Sequence, residues 1–264
     1  MDQATILYIP HGGGPMPLLS DSGYEVMNPF LREFSATLPK PDAIVVISAH
    51  WEDSSVSILA QDNPPLLFDY YNFPAETYEL QYPAPGAPAL ARRIKAMLDE
   101  SGIESRLDME RGFDHGVFVP LLLMYPEADI PCIQISLSNS LDAAFHIRLG
   151  QALSSLKKDN LLILGSGFSF HNLDVMISKT GDEIDEKNRL FEQWLAETCS
   201  DPGLDPQERE QRLVNWEQAP HARYCHPREE HLLPLHVCYG MAGKPATTAF
   251  QDKVIGFITS AYRW

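Results

Sequence analysis

Residues 43–48 read AIVVIS, an unbroken β-branched run with no polar residue until its last position. A strand with one wet face alternates polar and apolar side chains. A continuous apolar strand must be covered on both faces, and a largely parallel sheet sandwiched between helices supplies that cover. Other segments agree. Residues 6–9 form a short apolar run halted by Pro10, residues 130–137 read IPCIQISL, residues 161–164 read LLIL, and residues 254–262 are again strand-like. Residues 55–59 alternate and suit a neighbouring strand.

Helical patterns fall between these runs. Residues 87–101 carry apolar side chains at helical spacing and stop at Gly102. Residues 117–124 are short and apolar, while residues 141–156 and 184–199 are amphipathic, the latter with Phe191, Trp194 and Leu195 on one face. Residues 227–237 read as a helix with Pro227 in its first turn. Strands alternating with helices predict an α/β fold whose central sheet, largely parallel or mixed, has helices on both faces. Residues 64–88, rich in Pro and Tyr, read as a long loop of the kind that covers or lines a site, and residues 201–210 as a polar surface turn. With no internal repeat and no low-complexity tract in 264 residues, one domain over 1–264 is expected.

A net charge of −16 repels phosphate backbones and anionic lipid, so neither nucleic acid nor membrane is an expected partner. Small anionic ligands stay open, because a buried cation dominates its own site. The four cysteines (Cys132, Cys199, Cys225, Cys238) form no CxxC pair, and the first residues lack a basic, then apolar leader. A reduced, cytoplasmic protein is the expectation. The oligomeric state is not legible.

The chemistry is carried by histidines. Of nine, three follow strand-like runs: His11 after residues 6–9, with three glycines behind it; His50 after AIVVISA; and His171 after LLILGSGFSF. Ligands of open parallel sheets gather beyond the carboxyl ends of the strands, so the three converge if their strands are parallel. Imidazole suits iron and zinc, and three histidines, or two with a carboxylate, hold a metal on one face and leave the other open. His231 lies within the segment HPREEHLLPLHV. His115, in GFDHGVF, is placed to donate or accept a proton, with Asp114 as a candidate orienting group. The aromatic residues of the long loop (Tyr70, Tyr71, Phe73, Tyr78, Tyr82) either wall a pocket or anchor the loop, and Arg111 or Arg223 is a candidate partner for a substrate carboxylate. Rival motifs fail: GSG at 165–167 does not complete GxSxG, and P-loop, GxGxxG and HExxH are absent.

Read together, IPHGGGPMPLL, PDAIVVISAHWE, the YPAPG of 82–86, GFDHGVFVPLLLMYPEADIPCIQIS, GSGFSFHNL and HPREEHLLPLHV resemble, in order, the class III extradiol ring-cleavage dioxygenases. Within that LigB-type superfamily the similarity is greatest to the branch named for DOPA dioxygenase. The resemblance implies a LigB-like fold and the opening of a catechol ring by O2 at a mononuclear non-haem Fe(II), with zinc as an alternative occupant in the purified protein. It implies His11, His50 and His231 as metal ligands. It gives His171 two roles, general base in the wider family and metal ligand in this branch. It matches His115 to the second active-site histidine. The branch usually reads HGSP where this chain has HGGGP, and the wider superfamily often uses a glutamate as third ligand, which leaves Glu230 as a competitor to His231. A zinc-dependent hydrolase and a non-catalytic metal-binding or interaction protein of the same fold stay open as alternatives.

Overall fold

The computed structural model describes residues 4–19, 22–178 and 185–264. Its elements run β1 (Thr5–Pro10), α1 (Met16–Leu19), α2 (Met27–Ala36), β2 (Ala43–Asp53), β3 (Val56–Leu59), α3 (Pro88–Glu100), β4 (Ser105–Asp108), α4 (His115–Met124), β5 (Cys132–Ser138), α5 (Ala143–Ala152), β6 (Leu161–Gly167), α6 (Leu173–Ser178), α7 (Glu186–Ser200), α8 (Pro206–Val214), α9 (Ala222–Cys225), α10 (Leu233–Ala242), β7 (Thr247–Val254) and β8 (Phe257–Arg263). The strands form one sheet in the order β4-β3-β5-β2-β6-β1-β8-β7.

The four central strands β5, β2, β6 and β1 are mutually parallel, with Ile44–Ser48 running alongside Leu162–Ser166 and Ile6–Pro10 alongside Ile163–Gly167. β3 and β8 join antiparallel at the two flanks, so the sheet is mixed but parallel at its centre. Along β2, Val45 and Ile47 face a core shared with α3, α5, α7 and α10, while Ile44 and Val46 face one shared with α2 and α4. All four side chains are fully buried, which is why this strand carries no polar alternation. Each contributes roughly 1.5–3 kcal/mol of burial.

Most expected elements are present with adjusted ends, but several readings need correction. The helix expected over 227–237 begins only at Leu233, and Pro234, not Pro227, occupies its first turn. Proline has no N–H to donate and is tolerated where the helix would leave that N–H unused, so Pro234 sets the start. His231 therefore lies in the turn before the helix. The single strand expected over 254–262 is the end of β7 and most of β8, joined by a two-residue turn with Ile255 at φ 46° and Gly256 at φ 87°. Two positive φ values match a tight hairpin turn, but without Asn-Gly or Asp-Gly it left no mark in the sequence. The polar turn at 201–210 runs into α8, whose N-terminus Asp205 caps by accepting from Gln207 and Glu208 N–H. Ile184, at the start of the helix expected over 184–199, lies outside the described residues; the helix runs from Glu186 to Ser200. No helix of the described residues is long and apolar enough to cross a membrane.

Candidate metal centre

Because β1, β2 and β6 are parallel, their carboxyl ends open on the same edge of the sheet, and that edge collects the histidines. His11 is the first residue past β1; Gly12, at φ 86°, turns the chain away immediately behind it. His50 sits inside β2 where its pairing with β5 is irregular, between Ile47 and Glu52. Such irregularities re-aim side chains beside functional sites. His171 follows β6, its N–H donating to the Cys225 carbonyl at 2.9 Å. His115 opens α4. His231 is fixed through its backbone: its carbonyl accepts from Phe168 N–H at 3.1 Å and from the Tyr8 hydroxyl at 2.9 Å. Its turn lies so close to β6 that a Cβ on Gly167 would fall 2.1 Å from that carbonyl oxygen, so only glycine fits there.

Donor nitrogens of His11, His50 and His231 lie within 4.8 Å of one another. Their tautomers follow from the hydrogen bonds. The Ser166 hydroxyl donates its single proton to the Gly116 carbonyl at 2.5 Å, so at 3.0 Å it must accept from His11 Nδ1–H. His231 Nδ1–H donates to Glu230 Oε1 at 3.0 Å. Both rings therefore carry a bare lone pair on Nε2. His11 Nε2 lies 3.0 Å from His50 Nε2, a separation that needs either the one N–H of His50 or a cation between them. Donors bound at about 2.1 Å and at right angles to one another would be about 3.0 Å apart, so the pair fits a metal ion. Burial, reinforced by the neighbouring histidines, holds His11 and His231 well below the usual imidazole range. Burial and then His115 lower His50 to about 3, against an opposing pull from Asp69. Neutral imidazole is the ligating form, and this cluster keeps it neutral.

Two carboxylates stand behind the rings. Asp69, from the long loop, accepts both the backbone N–H of His115 at 3.0 Å and its Nδ1–H at 2.8 Å, and lies 3.8 Å from His50 Nδ1. Glu230 Oε1 is shared between His231 and His171 Nδ1, the latter at 3.4 Å. Burial alone would raise the Glu230 carboxyl, but hydrogen bonding to His171 and nearby Arg228 bring it below its ordinary value. His171 stacks face to face on His231 with ring centres 3.4 Å apart, and it groups with His231 and Glu230 rather than with His11 and His50. A cluster able to hold a metal ion is thus present; Glu230 falls with His171 and His231 in a second such group beside it.

The sequence pointed to His11, His50, His115, His171 and His231, and the fold brings all five to one cavity of about 530 Å3. Sequence reasoning missed Asp69, Ser166 and the buttressing place of Glu230. Asp114 does not orient His115: fully buried, it accepts from Ser48 Oγ at 2.7 Å, from Arg111 at 3.0 Å and from Gln134. Arg111 also donates to the His50 carbonyl at 3.0 Å and Arg223 is held by Glu217 and Glu229, so both arginines are engaged with the protein itself. Of the loop aromatics only Phe73 lines the cavity; Tyr70 and Tyr82 are buried anchors, donating to the Thr77 and Tyr125 carbonyls, while Tyr71 is exposed.

Comparison with known proteins bears on this geometry. Residues 5–258 match the family described as the catalytic LigB subunit of aromatic ring-opening dioxygenase. The chain is 38% identical to the dioxygenase tasH of Hapsidospora irregularis, the match covering all of this chain and 86% of that protein. It is 39% identical to a 4,5-DOPA dioxygenase extradiol of Beta vulgaris, over 90% of this chain and 86% of the other. The crystal structure of an uncharacterized protein from Escherichia coli K12 superposes with a TM-score of 0.80 at 30% identity, covering 98% of both chains.

Proposed function

The chain belongs to the LigB family of aromatic ring-opening dioxygenases, and on that premise we propose that it is an extradiol dioxygenase that opens a catechol ring with O2 at a single Fe(II). The observation that carries the proposal is the convergence of His11, His50 and His231 on one point at the floor of a cavity, with His115 and His171 beside them. His11, His50 and His231 would hold the ion, leaving its other face toward the cavity. When bound, the iron supplies a Lewis-acid seat for the catechol oxygens and a path for electrons between ring and dioxygen.

The protein's own part is to position the ring and move protons. His171 Nε2 takes a proton from a catechol hydroxyl, and Glu230, beside His171 Nδ1, stabilises the imidazolium that results. We assign His171 to this role rather than to the metal, because it stacks on His231 instead of joining the three-nitrogen group. His115 is the second proton carrier. Asp69 fixes its Nδ1–H, so Nε2 is the atom that exchanges a proton with the reacting oxygen. Catechol and O2 together contain every atom of the ring-opened muconic semialdehyde, so the histidines return to their starting state after each cycle.

The test is anaerobic reconstitution with Fe(II), followed by oxygen uptake and visible absorbance against a panel of catechols. The expected result is one O2 consumed per catechol with a yellow product, both lost in His50→Ala. Iron bound at one ion per chain with no oxygen uptake on any catechol would defeat the proposal. Hydrolytic turnover with zinc and without oxygen would establish the hydrolase alternative.

A further inference from the structure

The cavity has a polar floor and apolar walls. Beyond the histidines, the glycines that follow His11 and the phenol of Tyr24, its lining is apolar, chiefly Phe73, Phe168, Leu173, Met176, Ile177 and Ile255, with no lysine, arginine, aspartate or glutamate among the described residues. The arginines near this edge of the sheet are engaged elsewhere: Arg111 with Asp114 and the His50 carbonyl, Arg228 with both oxygens of Glu52 at 2.5 Å. The rim is more apolar than a chain surrounded by water favours. Leu173 is 57% exposed and Ile177 82%, both on α6, and Met16, which lines the same cavity, is 37% exposed. Clustered aliphatic exposure at the mouth of a cavity marks a surface that a ligand covers. Ile255, in the β7–β8 hairpin turn and held there by its N–H donating to the Gly23 carbonyl at 2.8 Å, completes the aliphatic lining.

We propose that the catechol opened here carries an uncharged, apolar substituent lying over Leu173, Met176, Ile177 and Ile255, and that a substituent ending in a carboxylate is selected against. The proposal rests on the dioxygenase reading for the catechol itself; the apolar preference rests on the walls. A carboxylate on that substituent would lose its hydration with no cation among the described residues of those walls to replace it. An alkyl chain would instead leave water, and each methylene covered should tighten binding about threefold to fourfold. The volume of about 530 Å3 accommodates a substituted ring, within the range of about 300–1,000 Å3 typical of small-molecule sites.

The experiment measures Kd by anaerobic calorimetry on the Fe(II)-loaded protein, alongside kcat/KM. The probes are 4-methyl-, 4-propyl- and 4-hexylcatechol, against 3-(3,4-dihydroxyphenyl)propionate and 6-(3,4-dihydroxyphenyl)hexanoate. The expected result is a Kd that falls about threefold per methylene from methyl to propyl, with carboxylate-ended chains bound at least tenfold more weakly than alkyl chains of matching length. Leu173→Ser/Ile177→Ser, at two exposed positions, should flatten the chain-length dependence while leaving Tm within a few degrees of the parent. Ile255→Asn, compatible with the left-handed turn, should do so as well. Equal or tighter binding of the carboxylate series, or a chain-length dependence unchanged in these variants, would overturn the proposal. Absence of oxygen uptake on every probe would instead count against the dioxygenase reading, and the Kd series would still decide the apolar preference.

Discussion

Asp69, reaching His115 from the long loop, fixes which nitrogen of that imidazole is free. Asp69→Asn keeps the shape but weakens the acceptor that holds His115 Nδ1–H, and a buttressing group of this kind is typically worth 10–100-fold. The expected outcome is a fall of that size in kcat/KM, with the pH–rate profile displaced and partial rescue by Asp69→Glu. An unchanged profile would mean that Asp69 only anchors its loop. Ser166→Ala removes the acceptor for His11 Nδ1–H and should weaken iron binding by about 10–100-fold, read by competition with a chelator. Neither residue was legible in the sequence, for physical reasons. The histidines could be found because strand ends and glycine-rich turns mark where a parallel sheet opens. Asp69 lies 46 residues from His115 in a loop without periodicity, and its partner is set by the tertiary path of that loop alone. Ser166 was noticed only as part of an incomplete nucleophile motif, whereas its hydroxyl serves as the tautomer lock of His11.

At the scale of elements, the parallel order of β1, β2 and β6 was readable because a strand buried on both faces must be continuous and apolar. The turn that carries His231 was not. Residues 227–232 have a helical composition, but their hydrogen bonds run to other elements: the His231 carbonyl takes Phe168 N–H and the Tyr8 hydroxyl, and Arg228 reaches Glu52 on β2. These non-local partners outweigh propensity, which differs by less than about 1 kcal/mol per residue among ordinary side chains. The contact between this turn and β6 gives a prediction. Gly167→Ala places a methyl against the His231 carbonyl, and overpacking of this kind costs about 1–3 kcal/mol. The strand is pinned by its neighbours on both sides, so the turn should yield and draw His231 off the cluster. Expected are a lower Tm and an iron content well under one ion per chain. Full iron occupancy with a lowered Tm would show that the strain is absorbed elsewhere.

Across the whole molecule, buried titratable groups away from the metal cluster set how stability responds to pH. His146 is fully buried, its Nδ1–H donating to the Asp142 carbonyl at 2.7 Å and its Nε2 accepting from Ser138 N–H at 3.1 Å. Burial lowers it from an ordinary 6.5 to about 4. Between those values the unfolded chain binds a proton that the folded chain refuses, so stability is present above pH 6.5 and is lost as pH falls toward 4. Glu192 behaves in the opposite sense. Burial raises its carboxyl from 4.5 to about 7, against hydrogen bonds from Ser169 and Ser260. Here the folded chain keeps a proton that the unfolded chain has lost, so stability present below pH 4.5 declines as pH rises through 7. Between about pH 5 and 6.5 the two slopes cancel, and neither group shows in the parent protein. Single variants should expose them in urea unfolding with the metal removed by chelator. The deficit of His146→Gln relative to the parent should shrink by about 2 kcal/mol from pH 7 to pH 5, and Glu192→Gln should gain about 2–3 kcal/mol on the parent from pH 5 to pH 7. Differences that stay constant with pH would mean these groups titrate alike in the folded and unfolded chains. Slopes of opposite sign would show that burial alone drives both groups, each toward its uncharged form.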